Sequence, residues 1–315
     1  MRHDVSAADA AVVRLSAGDL RAVVDPSHGA EVSELELSGR QILSRTPWQR
    51  RPPAPAIDES AWLGAWAGGW QILFPNAGRA GEVDGRWHPF HGASSQAPWT
   101  LRASDDATAT LWWADDGWAL ERRVILSDRA VRVETEATNV TAEARPAVAV
   151  EHLTFGADLL AAGPVRLDIG PCDLQVLDAD GTPVGACRRW PAGAGAEDWS
   201  LVPVAGPESR FGSLVGLGDT SFGLHLTDLE LRVRWDPSLP YLWYWLELDA
   251  TSQPPWNSST RALGLEPASY PHGLGLADAC RDGSARVIMS GKTWSWSVEI
   301  TVVRPASANA KKAGA

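Results

Sequence analysis

Two histidines and a carboxylate stand among neighbours that suit proton transfer. His91 follows Trp87-His88-Pro89-Phe90 and precedes Gly92, which predicts a tight loop where a residue without a Cβ lets backbone approach a ligand or turn sharply. Asn76 and Arg79, just upstream, bring an amide and a guanidinium fork, donor and acceptor types that sugar hydroxyls need. His152 lies at the end of the apolar stretch Pro146 to Val150, which reads as a buried strand. Burial lowers a histidine pKa and a nearby carboxylate raises it, so an acid titrating near neutral pH is expected there. Glu151 alternates to the opposite face of the same strand and is not assumed to be its partner. Glu266 sits between Leu263-Gly264-Leu265 and Pro267; a carboxylate in such apolar company is hydrogen-bonded, paired or catalytic. The competing reading is a glutamate that caps a loop through backbone N–H groups.

Seventeen tryptophans against five phenylalanines and three tyrosines make indole the dominant aromatic surface. Most of it is expected in the core, but an indole face with its N–H also suits stacking on the C–H face of a sugar. Trp62, Trp66 and Trp70, spaced at four beside the first motif, are the expected pocket wall. Trp243, Trp245 and Glu247 alternate along Leu242 to Asp249 and share one strand face, as a sugar subsite or as the edge of a Trp-rich core. The catalytic candidates are therefore Glu266, His152 and His91, and the binding candidates Asn76, Arg79, Trp70, Trp245 and Glu247. No H-x-x-x-H or C-x-x-C spacing supports a metal site, and neither G-x-S-x-G nor a G-x-x-x-x-G-K loop occurs.

The elements that must position these residues read as strands. Val12 to Leu15, Leu20 to Val24 and Val32 to Leu37 are short apolar runs split by Ala17-Gly18-Asp19 and Pro26-Ser27-His28-Gly29. Leu120 to Leu126 and Ala130 to Ala137 read as a hairpin, and the pattern recurs at Leu224 to Trp235, Leu242 to Leu248 and Trp294 to Val303. No segment shows sustained helical periodicity, so an all-β sandwich or barrel is expected. Large β folds reach roughly 200 to 250 residues as one domain, which favours a single domain over residues 1 to 305 with a disordered tail from Ala306 to Ala315.

A formal net charge of -11 leaves no basic stripe for nucleic acid or an anionic membrane. Three scattered cysteines point to free thiols in a reducing compartment. The stretch Met1 to Ala11 lacks the apolar run of a secretory signal, and no apolar run approaches the ~20 residues of a membrane span. A soluble cytoplasmic protein, monomer or homodimer, is expected.

With these residues in order, the chain resembles the aldose 1-epimerase, or galactose mutarotase-like, family. Gly29-Ala30-Glu31-Val32 resembles its opening strands, Asn76 with Arg79 its Asn-Arg loop, and His91-Gly92 its first His-Gly motif. His152 with Phe155 matches the second His-x-x-Phe motif, and Leu265-Glu266 with Pro271 the segment of the catalytic base. The resemblance implies a β-supersandwich and cofactor-free interconversion of sugar anomers. In that scheme Glu266 takes the C1 hydroxyl proton, His152 protonates the ring oxygen, His91 assists there and Arg79 orients hydroxyls. Leu153 and Thr154 depart from the usual proline and aromatic, and His272 follows Pro271 where an acid is common. The hydroxyl-binding acid has two candidates, Asp236 and Glu247. Three other readings stay open at this point. A hexose-6-phosphate epimerase would use Arg79, Arg86 and Arg261, a non-catalytic carbohydrate-binding protein would keep only the Trp surfaces, and a glycoside hydrolase or lyase would pair Glu247 with Glu266.

Overall fold

Strand periodicity along the chain resolves, among the described residues, into two large antiparallel sheets with a shared interior and two small two-stranded ones. The computed structural model describes residues 12–48, 58–115, 117–193, 195 and 197–303. The expected tail from Ala306, the N-terminal stretch Met1 to Ala11 and the Pro-rich segment Arg51 to Pro55 lie outside the described residues.

The larger sheet has eleven strands. Its path runs Val13–Ala17, Leu20–Asp25, Glu31–Leu37, Trp70–Leu73, Val150–Phe155, Arg261–Ala268, Tyr241–Leu248, Glu208–Val215, Asp173–Val176 and Arg188–Arg189, with Arg40–Gln41 beside Glu31–Leu37. The second sheet has nine strands centred on Glu230–Trp235, Thr293–Val303, Ala130–Asn139 and Trp118–Leu126. The expected hairpin is present, with Val124 opposite Val133 and Leu126 opposite Val131. Leu224 to Trp235, read as one element, is two strands, Ser221–His225 and Glu230–Trp235, joined at a turn.

The sheets differ in what covers them. In the second sheet, Thr293–Val303 buries every other residue, as expected of a sheet with one wet face. In the larger sheet, Val150–Phe155 is buried at all six positions and Arg261–Ala268 at all but the first. Its inner face packs Trp70, Ile72, Leu153, Leu263, Leu265 and Tyr244 against the second sheet. Its outer face carries a separate apolar cluster that includes Leu73, Val150, Trp243, Ala268 and Tyr270 beneath Trp62, Trp66 and Leu276.

The cover on that outer face includes helices that sequence periodicity missed. Glu59–Ala65 and Leu276–Asp282 are each seven residues, too short for a sustained 3.6-residue pattern. The first starts at Asp58, whose carboxylate accepts the Ala61 N–H as an N-cap. Buried charge holds the interior behind the cover. Glu151, on the inner face as its alternation requires, receives Arg122 through both carboxylate oxygens at 3.0 and 2.9 Å. The indoles of Trp70 and Trp296 each donate to Glu151 at 2.7 Å. Among the described residues, no helix is long and apolar enough to cross a membrane.

Candidate functional site

Register places the acid-base candidates side by side on the outer face of the larger sheet. Val150 pairs with Ala268 and Thr154 with Gly264, so midway between them His152 falls opposite Glu266. On the far side of Glu266, its partner is Trp243. The His152 Nε2 stands 3.6 Å from the Glu266 Oε1, and both residues are buried, at 7% and 3% exposure. Gly264 makes space for this carboxylate, because a Cβ there would lie 2.5 Å from the Glu266 Oε1.

His91 reaches the same place from the loop after the Trp70–Leu73 strand. Its backbone adopts φ 59° and Gly92 follows at φ 78°, where a Cβ would meet the Phe74 carbonyl oxygen at 2.4 Å. The Gly78 N–H donates to His91 Nδ1 at 2.8 Å, so Nδ1 is unprotonated and the ring proton of the neutral imidazole sits on Nε2. Trp62 abuts both imidazoles edge-on, with ring centroids 4.5 Å from His91 and 5.5 Å from His152.

This crowding sets the protonation states. Burial pushes His152 down from 6.5 to about 3. His91 lies well below the ordinary value, first through burial and then through His152. Burial pushes Glu266 well above the usual carboxylate range. The expected near-neutral pKa of His152 is thereby corrected: desolvation outweighs the glutamate, which is itself reluctant to ionise.

Glu266 and His91 line a cavity of about 380 Å³ together with Arg79, Trp243, Trp245 and Glu247. His152, beside Glu266 in the neighbouring strand, is not among the described residues that line it. Glu247 is anchored, its Oε1 accepting the N–H groups of Ala250 and Thr251 and its Oε2 the Thr251 hydroxyl. Arg79 donates to the Thr182 hydroxyl at 3.2 Å and faces Asp180 at 3.5 Å across the cavity mouth. Among the described lining residues it is the only Lys or Arg, against the carboxylates of Glu59, Asp180, Glu247 and Glu266.

Two binding candidates go elsewhere. Asn76 is buried and braces the loop, its amide donating to the carbonyls of Arg79 and Pro89 and its oxygen accepting the Leu276 N–H at 2.6 Å. It holds the His91 loop and offers the ligand little. Trp70 was expected beside Trp62 and Trp66, yet its strand turns it into the interior, where it donates to Glu151. The spacing of four misleads there because the helix stops at Ala65; Trp62 and Trp66 do stack, at 5.8 Å.

Asp236, the other candidate for a hydroxyl-binding acid, instead accepts the Ser238 N–H in a turn of the second sheet. Arg261 is paired with Asp249 at 2.8 Å, and Arg86 lies in a different cleft. Phe90, Phe211 and Trp256 line the cavity without having been anticipated. Phe211 and Trp256 carried no sequence signal: Phe211 is set beside Trp245 by strand pairing, and Trp256 lies in the irregular loop after Pro254-Pro255.

Two large antiparallel sheets with this cover define the galactose mutarotase-like β-sandwich fold. The chain is similar over 96% of its length to a galactose mutarotase-like protein from Clostridium acetobutylicum, covering 98% of that chain with a TM-score of 0.68 at 14% identity. A GalM/aldose epimerase homologue from C. elegans gives a TM-score of 0.67 at 14% identity, covering 94% of this chain and 99% of that one. A galactose mutarotase related enzyme from Lactobacillus acidophilus gives 0.66 at 14% identity, with 94% and 99% covered. No protein-family model matches the chain, and no curated protein matches it in sequence.

Proposed function

We propose that the protein interconverts the α and β anomers of an uncharged aldose. The observation that carries this reading is the opposition of His152 and Glu266 at 3.6 Å, with Glu266 and His91 lining the cavity and the His152 ring packed against that of His91. A separated charge is disfavoured at either buried group, yet as a pair they hold one proton. Its transfer from carboxyl to imidazole creates the carboxylate and the imidazolium together, each stabilising the other.

Glu266 then accepts the C1 hydroxyl proton as the C1–O5 bond breaks, C1=O forms, and the imidazolium of His152 delivers its proton to O5. Rotation about C1–C2 presents the other carbonyl face, and the proton movements reverse as the ring closes. His91, fixed as a neutral Nε2–H donor by Gly78, hydrogen-bonds the ring oxygen as charge develops on it. General acid and base catalysis of this kind contributes ~10²- to 10⁴-fold per group.

The hexose-6-phosphate alternative finds little support in a cavity whose described lining holds one guanidinium, engaged by Asp180 and Thr182, and four carboxylates. Polarimetry of fresh α-D-glucose and α-D-galactose tests the proposal, with glucose 6-phosphate as a third arm. Acceleration of a free hexose by the wild type and not by Glu266→Gln is expected. Acceleration of the phosphorylated sugar alone moves the assignment to that class, and acceleration of none overturns it.

A further inference from the structure

A row of buried polar side chains crosses the outer face of the larger sheet, and half of it takes no part in the proton transfers proposed above. Gln71 pairs with His152 from the neighbouring strand on the side away from Glu266. Val32 pairs with Trp70, so one step along these antiparallel strands sets Glu31 beside Gln71. The row therefore reads Glu31, Gln71, His152, Glu266, each of them buried. They share one face, because the alternate residues Val32, Trp70, Ile72 and Leu153 point into the interior between the sheets.

The amide of Gln71 is oriented by its neighbours. Its Nε2 donates to Glu31 Oε2 at 3.1 Å and to the Ser95 carbonyl at 3.3 Å. Turning the amide over would set its oxygen against those two oxygens, so Oε1 is held on the other side. Ser95 is itself braced, its hydroxyl accepting the Trp62 indole N–H at 3.1 Å and donating to the Gly92 carbonyl at 3.0 Å. Among the described residues, neither Gln71 Oε1 nor His152 Nδ1 has a hydrogen-bond partner, although both atoms are buried. Such atoms are rare, and here an acceptor and a ring nitrogen able to donate belong to directly opposed residues, whose Cβ atoms lie about 4.5 to 5.5 Å apart in such a pair. Nε2 and Nδ1 occupy opposite edges of an imidazole. With Nε2 towards Glu266, the Nδ1 edge turns towards Gln71.

We infer that Gln71 is the positioning residue of His152: a small turn of the imidazole closes a hydrogen bond from Nδ1–H to Gln71 Oε1, and this bond holds the tautomer whose bare Nε2 faces Glu266. Only that tautomer can take the Glu266 proton, since the other already carries hydrogen on Nε2. The same bond, charge-assisted, stabilises the imidazolium once it forms. Its catalytic meaning rests on the anomerisation proposed above; the hydrogen bond itself does not.

NMR of protein labelled with nitrogen-15 histidine tests it at pH 7, where His152 is neutral; its signals are those lost in His152→Gln. The wild type is expected to carry the His152 proton on Nδ1, and a proton on Nε2 overturns the inference. Gln71→Met keeps the length and loses the acceptor. It is expected to lose the Nδ1 preference, with kcat down ~10- to 100-fold and KM within about threefold, because Gln71 is not among the described residues lining the cavity. Gln71→Glu, as an uncharged acid, keeps a donor towards Glu31 and an acceptor towards His152, and is expected to retain the Nδ1 proton. If one variant fails to fold, the other decides. An Nδ1 proton that persists in Gln71→Met, or is lost in Gln71→Glu, overturns the role, as does an unchanged kcat in a Gln71→Met that has lost the tautomer.

Polarimetry beside the spectra separates the two proposals. A tautomer that follows residue 71 in a protein accelerating no sugar overturns the anomerisation and leaves the hydrogen bond standing. Acceleration by a wild type with its proton on Nε2 overturns the role of Gln71 alone.

Discussion

Replacing Glu266 by glutamine removes the proposed base and, by the same physics, a source of instability. The carboxyl is buried and its nearest titratable neighbour, His152, is held neutral by its own burial, with its pKa near 3. Glu266 thus keeps its proton in the folded chain at pH values where the unfolded chain has lost it. The folded state binds more protons across that window, so stability is fully present below the ordinary carboxyl pKa of about 4.5 and falls as pH rises towards the folded-state value. The slope for one such group is ~1.4 kcal/mol per pH unit, about 2 °C in Tm per kcal/mol for a chain of this size. Glutamine keeps the shape and has no ionisation to suppress. Melting curves of wild type and Glu266→Gln from pH 5 to 8 are expected to diverge, the variant gaining as pH rises, while its mutarotation rate falls by ~10²-fold or more. Parallel stability curves would falsify the burial argument, and turnover within tenfold of wild type removes Glu266 as the base.

The histidine carries the opposite sign. His152 is unprotonated when folded and protonated when unfolded between about 3 and 6.5, so its contribution to stability is lost as pH falls below 6.5, visible as an acid-side Tm drop that His152→Gln relieves. Gly264→Ala is expected to turn the Glu266 carboxylate aside, lowering kcat by ~10²-fold while the flexible side chain absorbs the clash; urea titration should find stability within ~1 kcal/mol of wild type. Asn76→Ala deletes three hydrogen bonds under the His91 loop, a cost of about 2 to 4 kcal/mol, and loosens His91 so that kcat falls with it. Arg122→Met leaves Glu151 charged and buried, and denaturant unfolding should register a loss of ~3 to 5 kcal/mol.

Local pattern determined much of this protein. Alternation set the strands, and the apolar run Pro146 to Val150 before His152 read as a buried strand. It also put Trp243, Trp245 and Glu247 on one face of their strand, and Glu151 opposite His152 on theirs, because side-chain direction in a strand has period two and needs no partner to define it. The short covering helices escaped because two turns carry no measurable period, and Trp70 was misplaced because a spacing of four means one face only while a helix continues.

What the tertiary structure alone decided was pairing and depth. Nothing in the sequence sets His152 opposite Glu266, since register between strands more than a hundred residues apart comes from the packing of whole sheets. Depth followed from the cover: Trp62, Trp66 and the His91 loop exclude water from both groups, and that exclusion inverted the protonation expected of His152. A pKa is a property of surroundings assembled from distant segments, so residue type supplied the candidates and the fold chose their charge.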